Sequence, residues 1–293
     1  MNFLSNLSTK SLVSFIVGVG TGVTVYIIYD VVKNRRKCKE VDYYETTIQL
    51  NEYMCLHYAK EQDFDYPDLL PVNGLYFPLR CAQVCLDFCS QRGRALDVGC
   101  AVGRSSFELA RGFSDVLAID YSQRFVDAGS QLVRDGEMEY VILEEGVCGK
   151  TATALVDSDI ERSRVKFMKG DACNLPYSIG TFDCILAANL ICRLQNPLSF
   201  LGRVFSLLNP DGILVLTTPF TWSSKFTPQD LWLGGTYDNN VDSKSSFTEL
   251  KKILEVDFEL LETRDMPFLL KETRRKHQWT VSLCSVWRLK MAH

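Results

Sequence analysis

The sequence predicts an α/β fold: a doubly wound, mostly parallel seven-stranded sheet with an antiparallel edge hairpin, preceded by one N-terminal transmembrane helix. Three observations predict it. From residue 94 onward, short apolar runs alternate with stretches of helical period, the pattern of a parallel sheet covered on both faces. Two late apolar runs have no long helix between them, as an antiparallel hairpin requires. Residues 11–29 form an uncharged run of membrane length.

Ser11 to Tyr29 (SLVSFIVGVGTGVTVYIIY) is 19 residues without a charge. At a helical rise of about 1.5 Å per residue it spans about 28 Å, close to the hydrocarbon thickness of a bilayer. KNRRKCK follows, with five of the six basic residues that precede residue 40. Positive charge marks the cytoplasmic flank. A cleaved signal peptide would carry its charge before the apolar run and a small-residue cleavage site after it. Gly18 and Gly22 add a GxxxG pair, a weak signal for helix pairing. The expected organisation is a tail (1–10), a transmembrane helix (11–29), a basic linker (30–42), an N-terminal helical cap (43–93) and the main domain (94–293). The expected location is a single-pass membrane protein with its body facing the cytosol.

Within the cap, residues 40–60 read as a helix with Ile48, Tyr53, Leu56 and Tyr58 on an imperfect apolar face. A loop with Pro67, Pro71 and Gly74 precedes a second helix beginning near Pro78. In the main domain RALDVGC, DVLAIDYS, VKFMKGDA, FDCILAAN and GILVLTTP read as strands. SSFELARGF, residues 124–135, residues 198–208 and FTELKKILEVD read as helices. Asn209-Pro210-Asp211-Gly212 reads as a turn. FELLETRDM and WTVSLCSVWRLK close the chain as strands. Residues 136–163 break the alternation and read as an insertion, with a small hairpin at 140–156.

The 293 residues are 46% hydrophobic and 23% charged, an ordinary globular balance. From Glu40 onward 26 basic residues face 35 acidic ones. That acidic body is unlike a dedicated nucleic-acid binder, so no nucleic-acid partner is expected. The cysteines number eleven, with no CxxC pair and only three His beside them. A zinc site is not built that way. The thiols read as small apolar residues in a reducing compartment, and no metal is expected. Cys81, Cys85 and Cys89 recur every four residues, which stacks them on one helix face.

The chemistry concentrates in ALDVGCAVGRSS, residues 95–106. A buried strand runs into a loop with Gly99 and Gly103, and a helix starts at once. Glycine lets a backbone approach a ligand closely, and a helix N-terminus offers unpaired N–H groups. The spacing is neither G-x-G-x-x-G nor a P-loop. Asp120 ends the second strand, where a carboxylate accepts both hydroxyls of a ribose. Asp171, in Gly-Asp-Ala after the next strand, suits an adenine amino group. Open α/β sheets bind ligands at the carboxyl ends of their strands, and all three features lie there.

This set resembles the class I S-adenosylmethionine-dependent methyltransferases over about residues 94–220. The resemblance implies S-adenosylmethionine as cofactor. Asp97, Gly99, Cys100, Ala101 and Gly103 would hold its amino-acid end, Asp120 and Tyr121 its ribose, Asp171 and Ala172 its adenine, and Asn189 would flank the methyl group. GCAVGRSSFELARGF, IDYSQRFVDA, ERSRVKFMKGDACNLP, ANLICRL, TTPFTW…FTPQDLWLGG and PFLLKETRRKHQW look like the methyltransferase module of ovothiol biosynthesis. That likeness covers about residues 43–288. It implies methylation of an imidazole nitrogen of a mercaptohistidine-type small molecule. In that family the module is commonly fused behind an iron-dependent sulfoxide synthase, which is absent here, so either a separate synthase supplies the thiol or the module has moved to another acceptor.

Methyl transfer is an in-line displacement driven mostly by alignment and exclusion of water. A free imidazole lone pair needs no strong base, and no Ser-His-Asp or Cys-His set is visible. Ala188-Asn189-Leu190 stands where a DPPY-type tetrapeptide would mark methylation of a base amine. The candidate catalytic set is Asn189, Arg193 and Tyr44, with Tyr43 beside Tyr44 at the pocket's edge. Arg80, Arg193 and the Arg274/Arg275 pair are candidate forks for an acceptor's carboxylate. Trp222, Phe226, Trp232, Gly234 and Gly235 read as an acceptor lid, and His277 with Trp279 as a late contribution. The candidate substrate contacts are therefore Arg80, Trp222, Trp232 and His277. The alternatives are the same catalytic fold acting on another small molecule, a lipid or a protein, and a non-catalytic cofactor-binding scaffold on a membrane.

Overall fold

The computed structural model describes residues 43–236 and 245–290. Contacts divide the chain into two units, 1–43 and 44–293, and the architecture below is that of the second. The tail, the transmembrane helix expected at 11–29 and the whole basic linker lie outside the described residues. Among the described residues no helix is long and apolar enough to cross a membrane.

Two helices form the cap: α1 (Thr47–Tyr58) and α2 (Phe77–Phe88). Thr46 caps α1, its hydroxyl accepting the Gln49 N–H at 3.2 Å. Pro78 lies in the first turn of α2, where its missing N–H has no helical partner to lose. Cys81 and Cys85 are fully buried on the inner face of α2 and Cys89 closes its end, as their spacing predicts. The main domain runs β1 (Arg94–Val98), α3 (Arg104–Leu109), β2 (Asp115–Asp120), α4 (Gln123–Asp135), β3 (Glu137–Glu145), β4 (Cys148–Leu155), β5 (Val165–Lys169), β6 (Phe182–Ala188), α5 (Pro197–Val204), β7 (Leu208–Thr218), α6 (Ser246–Leu254), β8 (Phe258–Lys271) and β9 (His277–Leu289).

Seven strands form one sheet in the order β5-β2-β1-β6-β7-β9-β8. The first five are parallel, and β9 runs antiparallel to both β7 and β8. The predicted fold class and edge hairpin are both present. One face packs α1 to α4 over residues such as Met54, Phe107, Phe125 and Val215. The other packs α5 and α6 over Ile185, Phe200, Leu214 and Trp287. The strand order reverses between β1 and β6, which opens a crevice beyond their carboxyl ends. The insertion is the separate β3–β4 ribbon, three residues longer at its start than the sequence pattern suggests.

Two elements differ from expectation. The Asn209–Gly212 turn falls inside β7, absorbed as an irregularity in its pairing with β6, with Asp211 at φ 61°. β8 continues five residues past Met266 to Lys271. Pro267, which reads as a strand end, is tolerated because β8 is an edge strand whose outer side needs no ladder donor.

Candidate functional site

The loop after β1 is held almost entirely by the protein itself. Gly99 and Cys100 donate their N–H groups to the Ile119 carbonyl at 2.8 and 3.1 Å, and Gly103 to the Cys100 carbonyl at 3.0 Å. Ala101, left-handed at φ 46°, donates to Asp120 Oδ2 at 2.8 Å. Arg104 donates to Nδ1 of His57 at 3.2 Å. The Tyr58 hydroxyl donates to the Val102 carbonyl at 2.9 Å, so α1 grips the loop with two adjacent residues. His57 is buried, and that burial together with the Arg104 charge lowers its pKa to about 3. It is therefore neutral, and accepting at Nδ1 places its proton on Nε2. Amides engaged in this way cannot cradle a phosphate.

Neighbouring side chains leave no room for a Cβ at either glycine of the loop. A Cβ on Gly99 (φ 73°) would stand 2.8 Å from Leu190, and one on Gly103 (φ 85°) would stand 2.2 Å from the Phe167 ring. Both positions therefore demand glycine for packing and for their left-handed φ, and so fix the shape of the loop.

Asp97, fully buried near the end of β1, accepts the hydroxyls of Ser105 and Ser106 on Oδ2, both at 2.7 Å. Its Oδ1 is buried without a partner. Burial pushes its pKa up to about 6 against the two serine hydrogen bonds. Asp120 has Oδ2 on the Ala101 N–H and Oδ1 on the Ser122 N–H, both at 2.8 Å. Burial first, and the nearby Asp97 charge, raise it to about 6, while those backbone donors oppose the shift. Tyr121 is exposed. Asp171 is exposed and caps the turn at Ala172–Asn174 through the Cys173 N–H at 2.8 Å, with Ala172 buried behind it.

Asn189 ends β6 in the left-handed region, φ 52°. Tyr44 packs against Tyr53, Phe125 and Phe226 at ring distances of 6.0, 6.1 and 5.9 Å. Phe125 follows β2 and Phe226 follows β7, so Tyr44 bridges the two halves of the crevice. Arg193 supports the Phe226 side. Its guanidinium binds the Thr221 carbonyl at 2.8 Å and hydroxyl at 3.1 Å, and lies 5.1 Å over the Phe226 ring. Arg193 and Tyr44 thus roof the crevice.

The four expected substrate contacts, Arg80, Trp222, Trp232 and His277, each have protein neighbours of their own. Arg80 binds the Leu75 and Pro267 carbonyls and covers the Phe77 ring, clamping α2 to β8. Trp222 and Trp232 stack on each other at 6.4 Å, and their N–H groups bind Ser246 Oγ and the Thr227 carbonyl. They pin the post-β7 loop to α6, so their polar atoms are already engaged. His277 pairs with Lys271 at the tip of the β8–β9 hairpin, 6.1 Å from the Phe64 ring. Burial and the Lys271 charge lower its pKa from 6.5. It lies beside Lys271, which pairs with Asp65 at 3.0 Å, and its own Nε2 is buried without a partner.

Sequence reasoning missed His57, Tyr58, Phe167 and Ser282, which reach this region from distant parts of the chain. Among the described residues no group of His, Cys, Asp and Glu could hold a metal ion.

Residues 96–216 match the family model described as a methyltransferase domain. No curated protein matches the sequence at a significant level. Crystal structures of magnesium protoporphyrin IX methyltransferase (ChlM) from Synechocystis PCC 6803 superpose on this chain. The form with bound SAH has TM-score 0.53 at 14% identity, covering 85% of this chain and 97% of that one. The form with bound SAM has TM-score 0.52 at 15% identity, covering 85% and 94%. At such identities the superposition speaks for the fold. The order of the sheet and the domain match agree: residues 96–216 match a methyltransferase domain, and the chain carries the α/β fold of the class I S-adenosylmethionine-dependent methyltransferases.

Proposed function

We propose that this protein transfers the methyl group of S-adenosylmethionine to an imidazole nitrogen of a small mercaptohistidine-type acceptor at the carboxyl ends of β1, β2 and β6. The observation that carries the cofactor site is the orphaned, fully buried Oδ1 of Asp97. It fits the ammonium of the cofactor's amino-acid end, which offers hydrogen-bond donors and opposite charge. Asp120 would hold the ribose with lone pairs that the loop amides leave free, and Asp171 and Ala172 would flank the adenine. The bound cofactor supplies a sulfonium methyl. The protein's own residues align the acceptor, and Tyr44, Tyr53, Phe125 and Phe226 exclude water. The acceptor assignment rests on the sequence likeness described above. The uncharged run at 11–29 with its basic flank supports a membrane tether and a cytosolic body.

Labelled S-adenosylmethionine and mercaptohistidine given to the full chain in detergent should yield labelled methyl-mercaptohistidine. Tight S-adenosylhomocysteine binding without transfer would remove the acceptor and leave the cofactor assignment standing. Asp120→Ala should weaken S-adenosylhomocysteine binding by about 2 kcal/mol or more, about thirtyfold, because charge-assisted bonds to both the ribose and the loop are lost. Unchanged affinity in titration calorimetry would remove Asp120 from the site.

A further inference from the structure

Asn189 stands where its neighbour Leu190 packs over Gly99, at the strand end nearest the cofactor loop. Its backbone N–H donates to Thr217 twice, to the carbonyl at 2.8 Å and to Oγ1 at 3.0 Å. Because Thr217 Oγ1 accepts there, its own proton is free to go to Asn189 Oδ1, 3.1 Å away. Ser282, 93 residues later on β9, donates its hydroxyl to the same Oδ1 at 2.7 Å. Both lone pairs of the carboxamide oxygen are then taken. Thr217 and Ser282 are wholly buried, so neither hydroxyl has water as an alternative partner. Asn189 is half-buried, and its side chain enters both of these bonds through Oδ1, not through Nδ2.

We infer that Thr217 and Ser282 are positioning residues: they lock the Asn189 carboxamide with its oxygen toward β7 and β9 and its two Nδ2 hydrogens toward the strand-end crevice. The geometry of a planar amide enforces this, since oxygen and nitrogen leave the trigonal Cγ about 120° apart and only one of them can face the two hydroxyls as acceptor. Asn189 is then an obligate hydrogen-bond donor to what the crevice holds. The group held must offer a lone pair there: a second ring nitrogen, a thiolate or a carboxylate beside the nucleophilic atom. A protonated amine is turned away. This inference rests on the crevice being the methyl-transfer site only for the identity of its ligand. The orientation of the amide is a separate question.

The test is NMR of the full chain in detergent with ¹⁵N-labelled asparagine, the Asn189 side-chain pair identified by its loss in Asn189→Asp. The expected result is no nuclear Overhauser contact from the Nδ2 hydrogens to the Ser282 β protons or the Thr217 methyl. Ser282→Ala should broaden or split the pair as the amide gains a second orientation, and Ser282→Thr should restore a single sharp pair. S-adenosylhomocysteine affinity should stay within about twofold in both. Contacts from Nδ2 hydrogens to Ser282, or a pair unmoved by Ser282→Ala, would overturn the assignment. If Ser282→Ala fails to fold, the wild-type contacts alone decide. Failure of S-adenosylhomocysteine to bind the wild type would sink the functional reading and leave the amide's orientation readable in the same spectra.

Discussion

Gly103→Ala should destabilise the domain by about 3 kcal/mol, a loss large enough to abolish cofactor binding in much of the population. Two effects add. The backbone at φ 85° is a region where a side chain carries a penalty of about 1–2 kcal/mol. The new Cβ would also stand 2.2 Å from Phe167 Cζ and 2.7 Å from Cε1. Overpacking of that kind costs about 1–3 kcal/mol, because the ring must leave its rotamer or the strand must shift. Phe167 cannot retreat easily, for its ring is also pressed against Gly129 of α4, where a Cβ would meet it at 2.4 Å. Gly129→Ala therefore isolates the clash without the backbone strain, and urea denaturation should rank it between wild type and Gly103→Ala. In the double variant Gly103→Ala, Phe167→Leu the clash is relieved and only the strain remains. A Gly103→Ala protein within 1 kcal/mol of wild type would show that the loop relaxes freely and that the Phe167 wedge does not shape it.

The Phe167 wedge also shows what a sequence can and cannot disclose. Asp97, Asp120 and Asn189 were legible because each ends an apolar run of strand length, and strand ends in a parallel sheet converge whatever the intervening helices do. The glycines were legible as positions; the packing contact behind Gly103 was not. Phe167 reaches Gly103 from β5, two strands away, and nothing local marks it as the residue that forbids a side chain. Ser282 lies on a returning antiparallel strand, so its contact with Asn189 depends on the register of β9 against β7, which no periodicity encodes. His57 carried a visible signal, being one of only three histidines. Its role as acceptor for the Arg104 N–H required knowing that α1 lies over the loop. Arg80 shows the same limit: its guanidinium suits a ligand, but the Pro267 carbonyl of β8 binds it, a contact that no local pattern in the sequence discloses.

Asp97→Asn should stabilise the free protein at neutral pH and weaken its hold on the cofactor. A folded-state pKa near 6, above the unfolded value of 3.8, means that the native state binds a proton more readily than the unfolded chain between those limits. Stability from Asp97 is therefore fully present below about pH 4, falls as pH rises toward about 6, and stays lost above it. Two units correspond to about 3 kcal/mol, an upper bound because Asp120 titrates in the same range and the two carboxylates are coupled. A carboxamide at 97 can still accept the Ser105 and Ser106 hydroxyls and carries no charge to desolvate. The variant should gain about 1–2 kcal/mol over wild type at pH 8, and the gain should vanish by pH 4. Binding runs the other way. An ammonium delivered to the orphaned Oδ1 favours the ionised carboxylate, so wild-type affinity for S-adenosylhomocysteine should rise between pH 5 and pH 7, and Asp97→Asn should flatten that rise and lose about tenfold or more in affinity. Denaturation and calorimetry at matched pH values separate the two effects. A stability difference that does not change with pH would mean Asp97 is not a raised carboxylate. A pH-independent affinity would mean that Oδ1 is not where the ammonium sits. If both behave as expected, the buried, half-satisfied acid is a stability cost that the empty domain carries and the cofactor relieves, and the strength of cofactor binding above pH 6 comes in part from that relief.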